Sequence, residues 1–484
     1  MGYRETDSKC GIFIAHSLHD VYNGLINLQH RGQDSAGIAC MNDDGYIDVL
    51  RWEGKVRDFS LETASKLLDG GILFMGEIRY STNRGKTKGE LFDGALPRYL
   101  GNELTCKKKY DAPARRHIII RRANQSLVHN GNLIGMVPSK GKTDSDILLE
   151  FYVNNGLEKT IETFPASYAA GILDFRNKND KKVYIFKDRY GIRPLWIGKK
   201  DGRLIASSED VAIINIGGKP IRELFAGEIL EIPPNGTNFD SKIVSSDKAR
   251  PCFFERHYLG SNLSSFEGMT NQNIRLRLGE VLAEEFFPEI DIVSYIPNAP
   301  EDVARGYAGK VNKKLVNIFY KLDNERSFLN PTLEERAKSI GNNLFVRDNI
   351  NINGAKVLVC DDSVVRFNNA PYAAKKIREA GAKYIALAVA TPLIGPEING
   401  IKHHCPFGID MPENDDFLSR KIKNLSELKI FANQNGFDDI YFISKEGMEK
   451  ANRTKLEDFC AFCIGEPNPV KEEELKKLVQ FNLS

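Results

Sequence analysis

Five short polar segments near the amino terminus carry groups able to act together: CGIFIAH from Cys10, LQHRGQDSAGI at 28–38, GEIRYST at 76–82, LVHNGNL at 127–133 and TDSD at 143–146. A cysteine can attack an amide carbonyl and form a thioester. If the chain is cut before Cys10, its own α-amino group, with an ordinary pKa of about 7.7–8, can serve as the base. The Asn130 side chain and the Gly131 N–H can hold a tetrahedral oxyanion. Arg79 can clamp a carboxylate with two hydrogen bonds, and Asp144 can pair with an ammonium. Together these groups supply what hydrolysis of the glutamine side-chain amide requires. Each segment alone is commonplace in turns; their order and joint presence form the signal.

Two further stretches carry chemistry. In VLVCDDSVVRFNNA (357–370) an apolar run ends in Asp361 and Asp362, and a turn with Ser363 and Arg366 leads to a helical pattern from Pro371. That is the outline of a nucleotide or sugar-phosphate site. In FCAFCIG, Cys460 and Cys463 have the C-x2-C spacing that places two thiolates on one metal centre, and that equally suits a redox pair.

These groups need rigid elements to place them. GILFMGEI, HIIIRR, YAAGILDF and KVYIFKD read as strands of a sheet-rich first half, and the polar run 233–251 reads as a junction. Beyond it, NQNIRLRLGEVLAEEFF and NAPYAAKKIREAGAK are helix-periodic, whereas DIVSYIP, KVLVCDD and YIALAVA are compact strand candidates. Strands alternating with helices predict a mainly parallel α/β sheet with its ligand at the strands' carboxyl ends.

The 484 residues are 42% hydrophobic and 27% charged, enough for two to four globular domains, and the net charge of +2 gives no strong pull toward nucleic acid or membrane. No apolar run reaches the length of a membrane span or a secretory signal, so a cytoplasmic protein is expected. Eight cysteines in that compartment suggest nucleophiles or metal ligands, with Cys40 and Cys360 read as small buried side chains. Residues 83–122 hold eleven Lys or Arg against four Asp or Glu, either a solvated loop or a docking surface for an acidic partner.

The five amino-terminal segments, with YGIRPLWIG at 190–198 and SSED at 207–210, resemble the class II glutamine amidotransferases, and most closely the amidophosphoribosyltransferase family. The resemblance runs from Cys10 to about Pro469. It implies a propeptide at 1–9, an amino-terminal-nucleophile αββα glutaminase domain at 10–245 and a type I phosphoribosyltransferase-like parallel α/β domain at 250–484. It implies Cys10 as nucleophile, Asn130 and Gly131 as oxyanion hole, and Arg79 and Asp144 as glutamine grips. CFFERHYL, HHCPFGIDMP and FCAFCIGEPNP resemble the cysteine contexts of the iron–sulfur subclass, implying Cys252, Cys405, Cys460 and Cys463 on a structural [4Fe–4S] cluster, with zinc as the alternative. Asp361, Asp362, Ser363 and Arg366 match the family's site for phosphoribosyl pyrophosphate (PRPP) and Mg²⁺.

Several positions depart from the family pattern. Glu77 stands where GHxRYST has histidine. Phe367, Asn368 and Asn369 replace Gly-Thr-Thr, which is expected to put a bulky ring where phosphate approaches. Ala299 replaces a metal-facing serine, and YKLDNERSFLNP keeps Arg326 but loses most basic positions of the catalytic loop. The expectation is an enzyme that hydrolyses glutamine and passes ammonia to a PRPP-type acceptor in purine synthesis. The alternative is a paralogue whose PRPP site is degenerate, serving as glutaminase or regulatory subunit. A homo-oligomer, or a hetero-oligomer with a related subunit, is implied in either case.

Overall fold

The computed structural model describes residues 10–79, 94–101, 105–109, 116–134, 142–177, 180–245, 247–297, 300–321, 344–347, 349–407, 411, 413, 415–471 and 473–474. The expected propeptide 1–9, Ala299 and Arg326 lie outside these residues.

In the first half the strands GILFMGEIR (Gly71–Arg79), His117–Ala123, Ser167–Asn177 and Asp180–Lys187 form where apolar alternation predicts them. They build a nine-stranded and a six-stranded sheet. Ile12, Ile14, Met41 and Met75 of the first sheet share one apolar layer with Val128, Ala169, Leu173 and Ile185 of the second. The opposite face of the first sheet, with Phe13, Ile38 and Ile78, is covered by Val21 and Leu25 of the helix Leu18–Asn27. Ile172 and Phe186 on the outer face of the second sheet meet Leu148, Leu149 and Ile161 from the helices Asp144–Asn155 and Leu157–Thr163. Period-two alternation thus sends successive residues of one strand into different layers and yields the αββα stack.

The second half holds a five-stranded parallel sheet in which Lys356–Asp361 is central, between Ile292–Tyr295 and Tyr384–Val389. Val357 and Val359 point to one apolar cluster, with Ala373 and Ile377 of the helix Ala370–Glu379. Leu358 and Cys360 point to the other, with Leu278 and Leu282 of the helix Asn271–Glu285. Burial on both faces explains the continuous apolar run before Asp361.

The polar run 233–251 is not wholly a junction. Asp240–Ile243 is an edge strand paired with Glu228–Ile232. All four of its residues are exposed, so it lacks the apolar alternation by which strands are recognised. Part of the basic stretch is committed internally, since Arg98 pairs with Asp146 at 2.6 Å and Arg121 pairs with Asp48. Among the described residues no helix is long and apolar enough to cross a membrane.

Candidate active sites

Cys10 precedes the strand Gly11–Ala15, which lies between Gly71–Arg79 and Arg203–Ser207 in the nine-stranded sheet. It is 3% exposed. The SSED segment secures the strand: Ser208 Oγ accepts from Ile12 N at 2.9 Å, and Ser208 N donates to Ile12 O at 3.0 Å. Arg31 Nε donates to the Cys10 carbonyl at 3.0 Å.

Asn130 and Gly131 sit on Gln125–Asn132 in the facing sheet. Asn130 is fully buried, and neither side-chain polar atom has a hydrogen-bond partner among the described residues. Buried amides are normally satisfied, so this one is a candidate contact for a ligand. Gly131 must be glycine, because a Cβ there would lie 2.0 Å from Ser167 O and 2.5 Å from Tyr168 Cα. Arg79 ends its strand with Nη1 buried and unpartnered. Asp144 opens the helix capped by Thr143 and is felt electrostatically at both Glu77 and His129. His129 Nδ1 lies 2.9 Å from Ser145 Oγ, which ties that helix to the Asn130 strand.

The structure therefore gathers Cys10, Asn130, Gly131, Arg79 and Asp144 around one region. It adds groups that sequence reasoning missed. Glu77, noted only as a departure from a motif, is 1% exposed, accepts from His129 N at 2.8 Å and reaches the Cys10 thiol. Burial raises its pKa well above the carboxylate range, and the bonds to His129 and Cys10 only partly oppose this.

Behind Cys10 lies a buried ionic network. Arg31 donates to Glu209 at 2.5 Å and to Glu255 at 2.7 Å, and Arg193 donates to Glu255 at 2.8 Å. Burial alone would lower the Arg31 pKa, but Glu255 and Glu209 outweigh it and raise it. Burial likewise opposes ionisation of Glu209, and His30 and Arg31 overcome it, so its pKa is lowered. The pairing spans 178 and 224 residues of sequence, so no local pattern announces it.

Cys252, Cys405, Cys460 and Cys463 are all buried within one apolar cluster. Cys252 and Cys460 form a parallel bridge, and Cys460 N donates to Pro251 O at 3.0 Å. Burial raises the Cys460 and Cys463 thiols, and the neighbouring Cys252 and Cys405 raise them further. Among the described residues no group of three or more His, Cys, Asp or Glu forms a ready site for a metal ion. Cys40 and Cys360 are fully buried with pKa values raised chiefly by burial, matching their reading as small core side chains.

In the second half, Asp361 ends its strand, and its pKa is raised by burial and then by the adjacent Asp362. Asp362 N donates to Asp361 at 3.0 Å, and Ser363 Oγ donates to Asp362 at 2.7 Å. Asp361 and Ser363, with Arg366, Asn368 and Asn369, line a cavity of about 210 Å³ before the helix Ala370–Glu379. The expectation for Phe367 is corrected here. Its backbone takes the left-handed φ of 62° open to glycine, but its ring turns into the core against Phe431 and Phe437, 7% exposed. The left-handed turn costs about 1–2 kcal/mol, and ring burial, worth about 1.5–3 kcal/mol, offsets it.

The fold is a two-sheet αββα domain joined to a phosphoribosyltransferase-like parallel α/β domain. Residues 127–215 match the glutamine amidotransferase domain family. The amidophosphoribosyltransferase of Archaeoglobus fulgidus is 29% identical over 478 residues, covering 93% of this chain and 94% of the relative. That of Mycobacterium tuberculosis is 28% identical over 494 residues, covering 96% and 86%. The solved glutamine PRPP amidotransferase of B. subtilis, complexed with ADP and GMP, superposes with a TM-score of 0.77 at 22% identity over 96% of this chain and 98% of that one. Over nearly its whole length the chain is similar to amidophosphoribosyltransferases.

Proposed function

We propose that the protein hydrolyses glutamine at Cys10 and transfers the released ammonia to PRPP, in the manner of the amidophosphoribosyltransferases it resembles. The observation that carries this reading is the convergence of Cys10, the unpartnered Asn130 amide and the Arg79 guanidinium, whose Nη1 is buried without a partner among the described residues. Removal of residues 1–9 would free the Cys10 amine as base. The thiol adds to the amide carbon of glutamine, Asn130 and Gly131 hold the oxyanion, and collapse expels ammonia and leaves a thioester. Water then releases glutamate, while Arg79 and Asp144 retain the substrate's carboxylate and ammonium. In the second half, Asp361 and Asp362 would face the ribose hydroxyls, and Ser363 to Asn369 the 5′-phosphate at the helix start. Ammonia displaces pyrophosphate at the ribose carbon to give phosphoribosylamine. Mg²⁺ would screen the pyrophosphate charge.

The turned-in ring of Phe367 favours this reading over a degenerate PRPP site. The test is to supply glutamine with and without PRPP and Mg²⁺ and measure glutamate and pyrophosphate. PRPP-dependent pyrophosphate is expected; glutamate alone would favour a glutaminase serving another acceptor.

We also propose that Cys252, Cys405, Cys460 and Cys463 hold a [4Fe–4S] cluster. Four buried thiols from three separate segments meet in one apolar cluster, and a cluster ligated by four thiolates would take all of them. When bound, it would staple the carboxyl-terminal segment to residues 252–259. Iron and acid-labile sulfide near four of each per chain are expected after anaerobic purification; stoichiometric zinc without iron would reverse the assignment.

A further inference from the structure

We propose that Glu77 is a positioning residue of the glutaminase: its carboxyl holds the Cys10 thiol in register with Asn130 and Gly131, and a negative charge in that place withholds the thiolate. The inference rests on the reading of Cys10 as the nucleophile.

The geometry starts from the strand Gly71–Arg79. Ile78 faces the outer helix layer, whereas Met75 belongs to the layer between the sheets. By alternation, Glu77 and Arg79 share the inner face with Met75. Glu77 lies opposite Ile12 on the Cys10 strand and opposite Gly37 on its other side. From there its carboxyl spans the gap to the second sheet. Oε2 accepts the amide of His129, the residue before Asn130, and the carboxyl lies within hydrogen-bonding reach of the Cys10 thiol. Oε1 has no hydrogen-bond partner among the described residues. One side chain thus touches both the nucleophile and the strand of the oxyanion hole.

The charged and titratable groups around it are Cys10 on the neighbouring strand, Arg79 two residues along, His129 on the facing strand and Asp144 at its helix start. Burial dominates and keeps Glu77 protonated above the ordinary carboxylate range; Asp144 acts in the same direction, while Arg79 opposes it. His129 is itself held neutral by burial, so it provides no cation to ionise Glu77. A neutral carboxyl can donate to a developing thiolate. A carboxylate in that place repels it. The sign follows: the active form is the protonated acid, and activity declines as rising pH ionises Glu77, although a free thiol would gain reactivity.

The test compares wild type with E77Q and E77A in two readouts: glutamine kcat and KM against pH, and the rate of Cys10 alkylation by iodoacetamide, followed by peptide mass. E77Q keeps the shape and cannot ionise. It is expected to retain kcat within about 3-fold at neutral pH and to lose the alkaline decline in both profiles. E77A loses the tether, and a misplaced reacting group costs about 10²-fold, expected in kcat more than in KM. An alkaline limb in E77Q identical to wild type, or an unchanged kcat in E77A, would overturn the proposal. Absence of glutamate from wild type would instead reject the nucleophile reading, and the alkylation profiles would still decide the role of Glu77.

Discussion

Replacing Cys10 with alanine is expected to lower glutamate formation by about 10⁴-fold or more, the scale of removing a catalytic nucleophile. Reaction with free ammonium and PRPP should persist. The separation follows from the layout, since the thiol serves only amide cleavage, and Asp361, Asp362 and the loop before Ala370 lie on another sheet. The variant should remain folded, because the Cys10 carbonyl accepts from Arg31, and alanine preserves that bond. Intact mass adds a second readout: active wild-type protein is expected to begin at Cys10. Glutamine hydrolysis that survives the substitution would remove Cys10 from the mechanism.

The largest expected effect on stability is at Arg31. Its guanidinium donates to Glu209, to both oxygens of Glu255 and to the Cys10 carbonyl, and it is 3% exposed. In R31M the two carboxylates stay buried without their main cation. Breaking such a network from one side costs about 3–5 kcal/mol. Glu209 keeps His30 and Ser264, and Glu255 keeps Arg193, which places the expected loss toward the lower end. The pH dependence has a definite sign. In wild type both carboxylates have lowered pKa values, so their contribution is present above the unfolded-state pKa and fades as pH falls through the folded one. Without Arg31 those folded pKa values rise. The deficit of R31M should therefore be largest at neutral pH and smaller at about pH 4, where the variant's raised carboxylates take up protons while those of wild type stay ionised. Denaturant unfolding at both pH values measures it; a loss below about 1 kcal/mol at neutral pH, on the scale of an exposed pair, would show that the network contributes little.

The parts of this molecule differ in how legible they are from sequence. The strands around Cys10 and Asp361 announce themselves because apolar alternation and apolar runs are local properties. The candidate glutamine site was legible for a similar reason: HNGN and TDSD keep their groups within a few residues, so the fold had only to bring a few segments together. Glu77 was visible only as an unexpected letter, since its meaning depends on the His129 amide 52 residues away. Arg31 in LQHRG looks like a surface cation until Glu255, 224 residues on, is folded against it. Phe367 was misjudged because sequence gives the residue at a loop position but not the side to which its ring turns; Phe431 and Phe437 decide that.

The central claim is that one chain couples glutamine cleavage at Cys10 to PRPP consumption at the Asp361–Asn369 loop. The most direct measurement is the ratio of glutamate to pyrophosphate formed in a single reaction containing glutamine, PRPP and Mg²⁺. Coupling predicts about one pyrophosphate per glutamate, as ammonia stoichiometry requires. Glutamate accumulating at the same rate without PRPP, and no pyrophosphate when PRPP is present, would contradict it.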